Sequence, residues 1–329
     1  MEINIIKAIQ SIANSFLDVV MWLITKMGEE IFFLLIFAGI YLLYSKKFAF
    51  KYTFYYLISV GVNAVIKMIV RRPRPYVTSS EVINRLPASE YSFPSGHSQG
   101  YFVQATTATQ QLYKTEAKKG VKISFLCIAI FIGLAVMFSR MYWGQHYLSD
   151  TIVGALVGLT VPFLIDYALY LCPKKWKDKF TLDLICKILV VACICGFGVM
   201  LIADIAWGIA SRKVYTFLGV YTAMSFGYLL DSKYIHYEEK SSCKIFWLKL
   251  LITYAVVVGL YFLLDLILPI SGFVYYLVYL FLGLVVSIGL PLLFKTIFKN
   301  NTNIDSESNA NTDSKSNANS DDEAKESTK

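Results

Sequence analysis

Between Glu30 and Phe294 the sequence is a succession of apolar blocks, each close to the length of one bilayer crossing and separated by short polar loops. Crossing the hydrocarbon core takes ~20 mostly apolar residues, and every backbone polar group there must be satisfied inside the segment, which leaves only helices and closed barrels. Blocks of this length read as helices. The expected spans are Glu30 to Tyr44, Phe50 to Val70, His97 to Tyr113, Ile123 to Ser139, Leu148 to Leu171, Leu184 to Ala206, Tyr215 to Leu230, Ile245 to Leu268 and Phe273 to Phe294, nine in all. The fold expected is therefore an all-α, polytopic membrane helix bundle. A hydrophobic share of 56% and a mean hydropathy of +0.54 exclude an ordinary soluble domain.

The segment before the first span, NIIKAIQSIANSFLDVVMWLITKM, places apolar residues at helical spacing with polar ones between. It suits an amphipathic helix lying on the membrane face, with a tenth span as the competing reading. No positive region with a cleavage site precedes it, so no removable signal peptide is expected. The net charge of +8 is carried by lysines gathered in alternate loops, among them Lys46, Lys47 and Lys51, then Lys114, Lys118, Lys119 and Lys122, then Lys174, Lys175, Lys177 and Lys179. The positive-inside rule makes that side the cytoplasm and disfavours a nucleic-acid partner for the same charge. A multi-pass cell-membrane protein follows, with the N-terminus outside and the C-terminal tail inside. The six cysteines fall in spans or on the inner side, where disulfides are not expected. Cys193 and Cys195, two positions apart on a helix, make a poor metal pair.

A Pro-and-Lys loop, Cys172 to Phe180, separates five spans from the four that follow. The expected organisation is residues 1–172 as a first membrane domain, 173–299 as an additional four-span region, and 300–329 as a tail. The tail repeats DSESNANT as DSKSNANS, lacks apolar periodicity, and is expected to be disordered.

Three polar clusters lie on the outer side of the first domain. The first is Lys67 to Pro75, KMIVRRPRP, where Pro73 and Pro75 force Arg72 and Arg74 out of the helical region and end the span near Val70. With Arg71 and Arg140 these cations stand where the positive-inside rule disfavours them; headgroup anchoring would also use them. The second is PSGH, Pro94 to His97, where Ser95 and Gly96 open a helix whose first N–H groups form a ready anion site, with His97 on its first turn. The third is Ser139 to Asp150, SRMYWGQHYLSD. His146 and Asp150 are four apart, so on a helix a carboxylate can fix one imidazole nitrogen and leave the other's lone pair free to attack. An unrelated histidine beside a capping aspartate is the plain alternative.

The pattern Lys67-x6-Arg74-Pro75, then Pro94-Ser95-Gly96-His97, then Ser139-Arg140-x5-His146-x3-Asp150 resembles the three-part signature of the type-2 phosphatidic acid phosphatase superfamily. The resemblance covers roughly Asn14 to Leu171, and the four later spans and the tail lie outside it. It implies that His146 is the nucleophile of a phosphohistidine intermediate, that Asp150 orients it, and that His97 protonates the leaving oxygen and later helps to activate water. It further implies that Lys67, Arg74, Ser95, the Gly96 amide and Arg140 hold the phosphoryl oxygens. Fixed cations can stabilise phosphoryl charge as a metal does elsewhere, so no metal or other cofactor is expected. The substrate expected is a lipid phosphate or diphosphate of the undecaprenyl diphosphate, phosphatidate or phosphatidylglycerophosphate type, with a sphingoid-base phosphate also open.

Two rival classes are weighed against this. A vanadate-dependent haloperoxidase would use the same oxyanion pocket but is soluble; a lipid-binding or transport protein would account for the spans but not for His146 and Asp150 beside an anion site. The loop from Tyr76 to Phe93 is long enough for a lid, with a plain surface loop equally open. Asp204 and Asp265, near the outer ends of later helices, are expected to be structural.

Overall fold

The computed structural model describes residues 1–86, 91–179, 181–208, 212–239, 241–267 and 272–298. Its elements are all helical: α1 (Glu2–Ser11), α2 (Ser15–Lys26), α3 (Glu30–Leu43), α4 (Lys46–Val70), α5 (Pro75–Thr78), α6 (Gly96–Tyr113), α7 (Lys119–Tyr142), α8 (Leu148–Leu171), α9 (Lys174–Lys179), α10 (Leu182–Trp207), α11 (Arg212–Leu230), α12 (Cys243–Ile267), α13 (Val274–Leu284) and α14 (Leu290–Ile297). Two π-helical turns, Asp231–Ile235 and Val285–Gly289, follow α11 and α13. The chain divides into two compact units, one of residues Met1–Ile40 and Lys46–Lys179, the other of Tyr41–Ser45 and Phe180–Lys329. The expected tail, 300–329, lies outside the described residues.

Six helices among the described residues are long and apolar enough to cross a membrane: α4, α7, α8, α10, α12, and α13 continued by α14. The nine expected from the sequence include three that fall short of this. Helix α3 has 14 residues, which at 1.5 Å rise is about 21 Å, less than the ~30 Å of hydrocarbon. Helices α6 and α11 are long enough but more polar.

The polarity of α6 has a structural reason. Gln99 and Gln104 meet partners on α4, and Thr107 and Thr109 donate to carbonyls of α6 itself, so that these polar groups are satisfied within protein. Asn63 of α4 donates to Gln99 Oε1 at 2.8 Å, and Gln99 Nε2 donates in turn to Ser59 Oγ at 2.9 Å. Tyr52 donates to Gln104 Oε1 at 2.6 Å, and Tyr101 to the Ala129 carbonyl at 2.9 Å. On its other face α6 meets α8 across glycines: a Cβ on Gly154 would stand 2.5 Å from the Ser95 carbonyl oxygen, and one on Gly158 2.5 Å from that of Gln99. Ala at Gly158 must push backbone aside, an overpacking cost of ~1–3 kcal/mol. Gly158→Ala is expected to lower the thermal midpoint of the detergent-solubilised protein by several degrees.

The N-terminal segment departs from the single helix expected on the membrane face. It is two helices, parted because Asn14, in extended conformation, accepts a hydrogen bond from the Leu17 amide and caps α2. Their buried faces pack on protein. Ile6 joins Val82, Met141 and Tyr147, while Met21 joins Tyr142 and Trp143. Gln10 donates to the Ile83 carbonyl at 2.8 Å and accepts from the Ile83 amide at 3.0 Å. The described part of the long loop is pinned by these bonds and by Arg85, which reaches Asp18 at 2.6 Å.

In the second unit Asp204 accepts from Tyr215 at 3.3 Å, and its carbonyl accepts from the Gly208 amide, which closes α10 in left-handed conformation. The side chain of Asp265 lies outside the described residues.

Candidate active site

Each cluster is delivered by a local device. Helix α4 ends at Val70, and the stretch to Arg74 is non-helical, with Arg71 in left-handed conformation (φ 49°) and Arg74 extended before Pro75. The turn leaves Lys67 on the last turn of α4 and carries Arg74 back beside it. Ser95 caps α6, its hydroxyl accepting from the Ser98 amide, with Gly96 and His97 next in the first turn. Helix α7 ends just beyond Arg140, the chain turns through Gly144 at φ 71°, and α8 starts at Leu148 with Asp150 in its first turn. A Cβ on Gly144 would stand 2.5 Å from the Ile83 carbonyl oxygen.

These devices converge on His146, which is 2% exposed. Its Nε2 lies 3.4 Å from Arg74 Nη1. Its Nδ1 lies 3.6 Å from Asp150 Oδ2. Because Arg74 offers only donors, Nε2 must present its lone pair, which assigns the ring proton to Nδ1 on the Asp150 side. Lys67, Arg74 and Arg140 are all buried around the ring. Burial first, and then the charges of Arg140, Arg74, Lys67 and His97, hold the His146 imidazole well below its usual 6.5. The ring is neutral at neutral pH, with its lone pair in a field of fixed positive charge.

The cations are individually held. Lys67 donates to the Tyr91 carbonyl. Arg74 donates at 3.0 Å to both the carbonyl and the side-chain oxygen of Gln145. Arg140 donates to Thr25 Oγ1 at 2.6 Å, while its Nε, fully buried, has no hydrogen-bond partner among the described residues. A buried donor of this kind costs free energy unless something accepts from it.

Asp150, 0% exposed, is held more tightly than its pairing with His146 required. Arg72 Nη1 reaches it at 2.7 Å, the Tyr147 amide donates to it at 2.9 Å, and the Ser92 hydroxyl is hydrogen-bonded to it. Arg72 also pairs with Glu2 at 2.8 Å and lies over the Tyr147 ring. Of the cations that the sequence gathers on this face, Arg71 is exposed and bonded to its own helix and Arg72 faces Asp150. Ser92, Gln145, Thr25 and Glu29 had no sequence signal of their own. Glu29, on the turn between α2 and α3, lies with Oε1 3.7 Å from His97 Nε2 and pairs with Lys26 at 2.7 Å.

Residues 48–178 match the PAP2 superfamily, and residues 215–302 match the transmembrane extension of PAP2 superfamily phosphatases. Together the matches cover more than half of the chain, which belongs to the PAP2 superfamily. Among individual proteins it is 28% identical over 173 residues to a probable sphingosine-1-phosphate phosphatase of Dictyostelium discoideum, covering 51% of this chain and 42% of that one. It is also 28% identical over 171 residues to undecaprenyl-diphosphatase BcrC of Bacillus subtilis, covering 50% of this chain and 82% of the relative. The crystal structure of a transmembrane PAP2-type phosphatidylglycerolphosphate phosphatase from Bacillus subtilis aligns at 25% identity with a TM-score of 0.45, over 55% of this chain and 86% of that one. The chain thus spans less than half the length of the first of these relatives.

Proposed function

We propose that the protein hydrolyses the phosphate monoester or diphosphate of a membrane lipid through a phosphohistidine on His146. The observation that carries this is the neutral His146 Nε2 lone pair facing three buried cations, with a fully held carboxylate behind the ring. Phosphoryl transfer asks for positioning and stabilisation of charge on the equatorial oxygens, and that arrangement supplies both.

In the first step Nε2 attacks phosphorus and the bond to the lipid or diphosphate oxygen breaks, with His97 giving its proton to the departing oxygen. Asp150 faces the Nδ1 proton of His146 and stabilises the charge the ring acquires. Lys67, Arg74, Arg140, the Ser95 hydroxyl and the Gly96 amide hold the phosphoryl oxygens. In the second step His97, now neutral, takes a proton from water as the oxygen attacks phosphorus. The P–N bond breaks, phosphate leaves, and His146 is regenerated.

The substrate is a lipid phosphate or diphosphate, a reading supported by the two relatives named for sphingosine-1-phosphate and undecaprenyl diphosphate, which share only phosphate carried on a lipid. The lysine-rich loops at the opposite helix ends support an extracytoplasmic site with the C-terminal tail in the cytoplasm. Phosphate release should be measured in detergent with EDTA present, from undecaprenyl diphosphate, phosphatidate, phosphatidylglycerophosphate, a sphingoid-base phosphate and a soluble sugar phosphate. Release from lipid members that survives chelation is expected. Binding without release would move a lipid-binding role to the front, and release restored only by a divalent ion would overturn the metal-free mechanism.

A further inference from the structure

The acid–base histidine has a partner that lies outside the three-part signature and outside the matched residues 48–178. We propose that Glu29 is a positioning residue for His97, holding its ring and keeping it protonated for delivery to the leaving oxygen; this rests on the function proposed above.

The geometry comes first. The turn carrying Glu29 is pressed against His97: a Cβ on Gly28 would stand 2.7 Å from the His97 carbonyl oxygen and 2.9 Å from its Cβ, so only glycine lets the two backbones approach this closely. Glu29 Oε1 then lies 3.7 Å from His97 Nε2, ion-pair distance in the free enzyme. Catalytic contacts are often this loose before substrate binds. The same stretch of chain places the Thr25 hydroxyl on Arg140, so this turn touches two of the three clusters at once.

The charge balance gives the pairing a purpose. The other charged groups around the pocket are Lys67 from α4, Arg74 from the following turn and Arg140 from α7, with His146 itself from the loop before α8. The three cations oppose a proton on His97. Asp150 is committed to Arg72 and Ser92. On the α2–α3 side the acids are Glu29 and its neighbour Glu30, and the cation is Lys26, which binds the other oxygen of Glu29. Burial would lift the Glu29 carboxyl, but contact with His97 and Lys26 and their charges outweigh it and hold it at about 2. Glu29 is therefore a carboxylate throughout the working pH range, and an adjacent carboxylate favours the imidazolium. Without it the cations win and His97 loses the proton that the leaving oxygen needs.

The test is the pH profile of kcat/KM for Glu29→Gln and Lys26→Gln, on a lipid phosphate and on p-nitrophenyl phosphate, whose leaving group needs no proton. The alkaline limb, where His97 deprotonates, is expected to move down by about one pH unit in Glu29→Gln. In Lys26→Gln, where the carboxylate is no longer shared, it is expected to move up. Glu29→Gln should lose about tenfold or more on the lipid and markedly less on p-nitrophenyl phosphate. Equal losses on both substrates with an unmoved limb in both variants would overturn the proposal while leaving the phosphatase reading intact. An inactive native enzyme would instead sink the phosphatase reading itself. Should Glu29→Gln fail to fold, the direction of the Lys26→Gln limb decides, and a limb that stays or moves down counts against the pairing.

Discussion

Replacing His146 with alanine is expected to lower phosphate release by ~10³-fold or more and to abolish any phosphoenzyme, since removal of a covalent nucleophile closes the whole two-step route. The measurement is a rapid quench into alkali, where a phosphohistidine survives, using labelled lipid phosphate. The arrangement leaves little room for a substitute nucleophile, because the ring nitrogen at the centre of the cations belongs to His146 alone. Undiminished labelling in the variant would refute the assignment. The sign of the pH response follows from the same environment. His146 must be neutral to attack, and burial with four neighbouring positive groups depresses its pKa well below 6.5. Activity should therefore persist as pH falls through 6.5 and decline only lower, once the ionisation of the phosphate substrate, near ~6, is accounted for.

His97→Ala is expected to cost ~10²- to 10⁴-fold on a lipid phosphate, the range for losing a general acid. The loss should split by step. With p-nitrophenyl phosphate the first step needs no proton, so the variant should form phosphoenzyme readily and then hold it, because the group that activates water is gone. An accumulating intermediate in His97→Ala, beside none in His146→Ala, would separate the two histidines by role. Equal loss on both substrates with no accumulation would mean that His97 serves only to bind. Within the fold, His97 is placed for this duty by the Ser95 cap and by the turn at Gly28, neither of which depends on its own side chain.

What the sequence disclosed, and what it did not, follows from the range of the signals. The Pro-driven end of α4 at Val70 and the capped start of α6 are local events, readable from a handful of neighbours, whereas His146 comes within 3.6 Å of Asp150 from the loop before α8 and not, as expected, from a shared helix face. Asn14 as a helix cap was also readable, although the apolar spacing around it concealed the break between α1 and α2. Arg72 is a different case: nothing local says that it turns to Asp150, 78 positions away. Glu29 and Thr25 were invisible for the same reason, since their significance lies in His97 and Arg140 far along the chain. Helix α6 is a third case. Its length suggested a span, and what the sequence did not disclose is that its glutamines meet protein partners in α4.

The link from Glu2 to the start of α8 has a consequence for how the molecule is made. Glu2 accepts from the Ser149 amide at 2.8 Å and pairs with Arg72, which in turn reaches Asp150. The residues that hold α1 are thus made well after it, Arg72 first and Ser149 last. At ~5–20 residues per second, the first helix waits roughly 7 to 30 seconds for the start of α8. The contact of Glu2 with Ser149 therefore belongs to a late step of biosynthesis, after five or more helices have been made, and α1 docks on segments that follow it by seventy and by almost 150 positions.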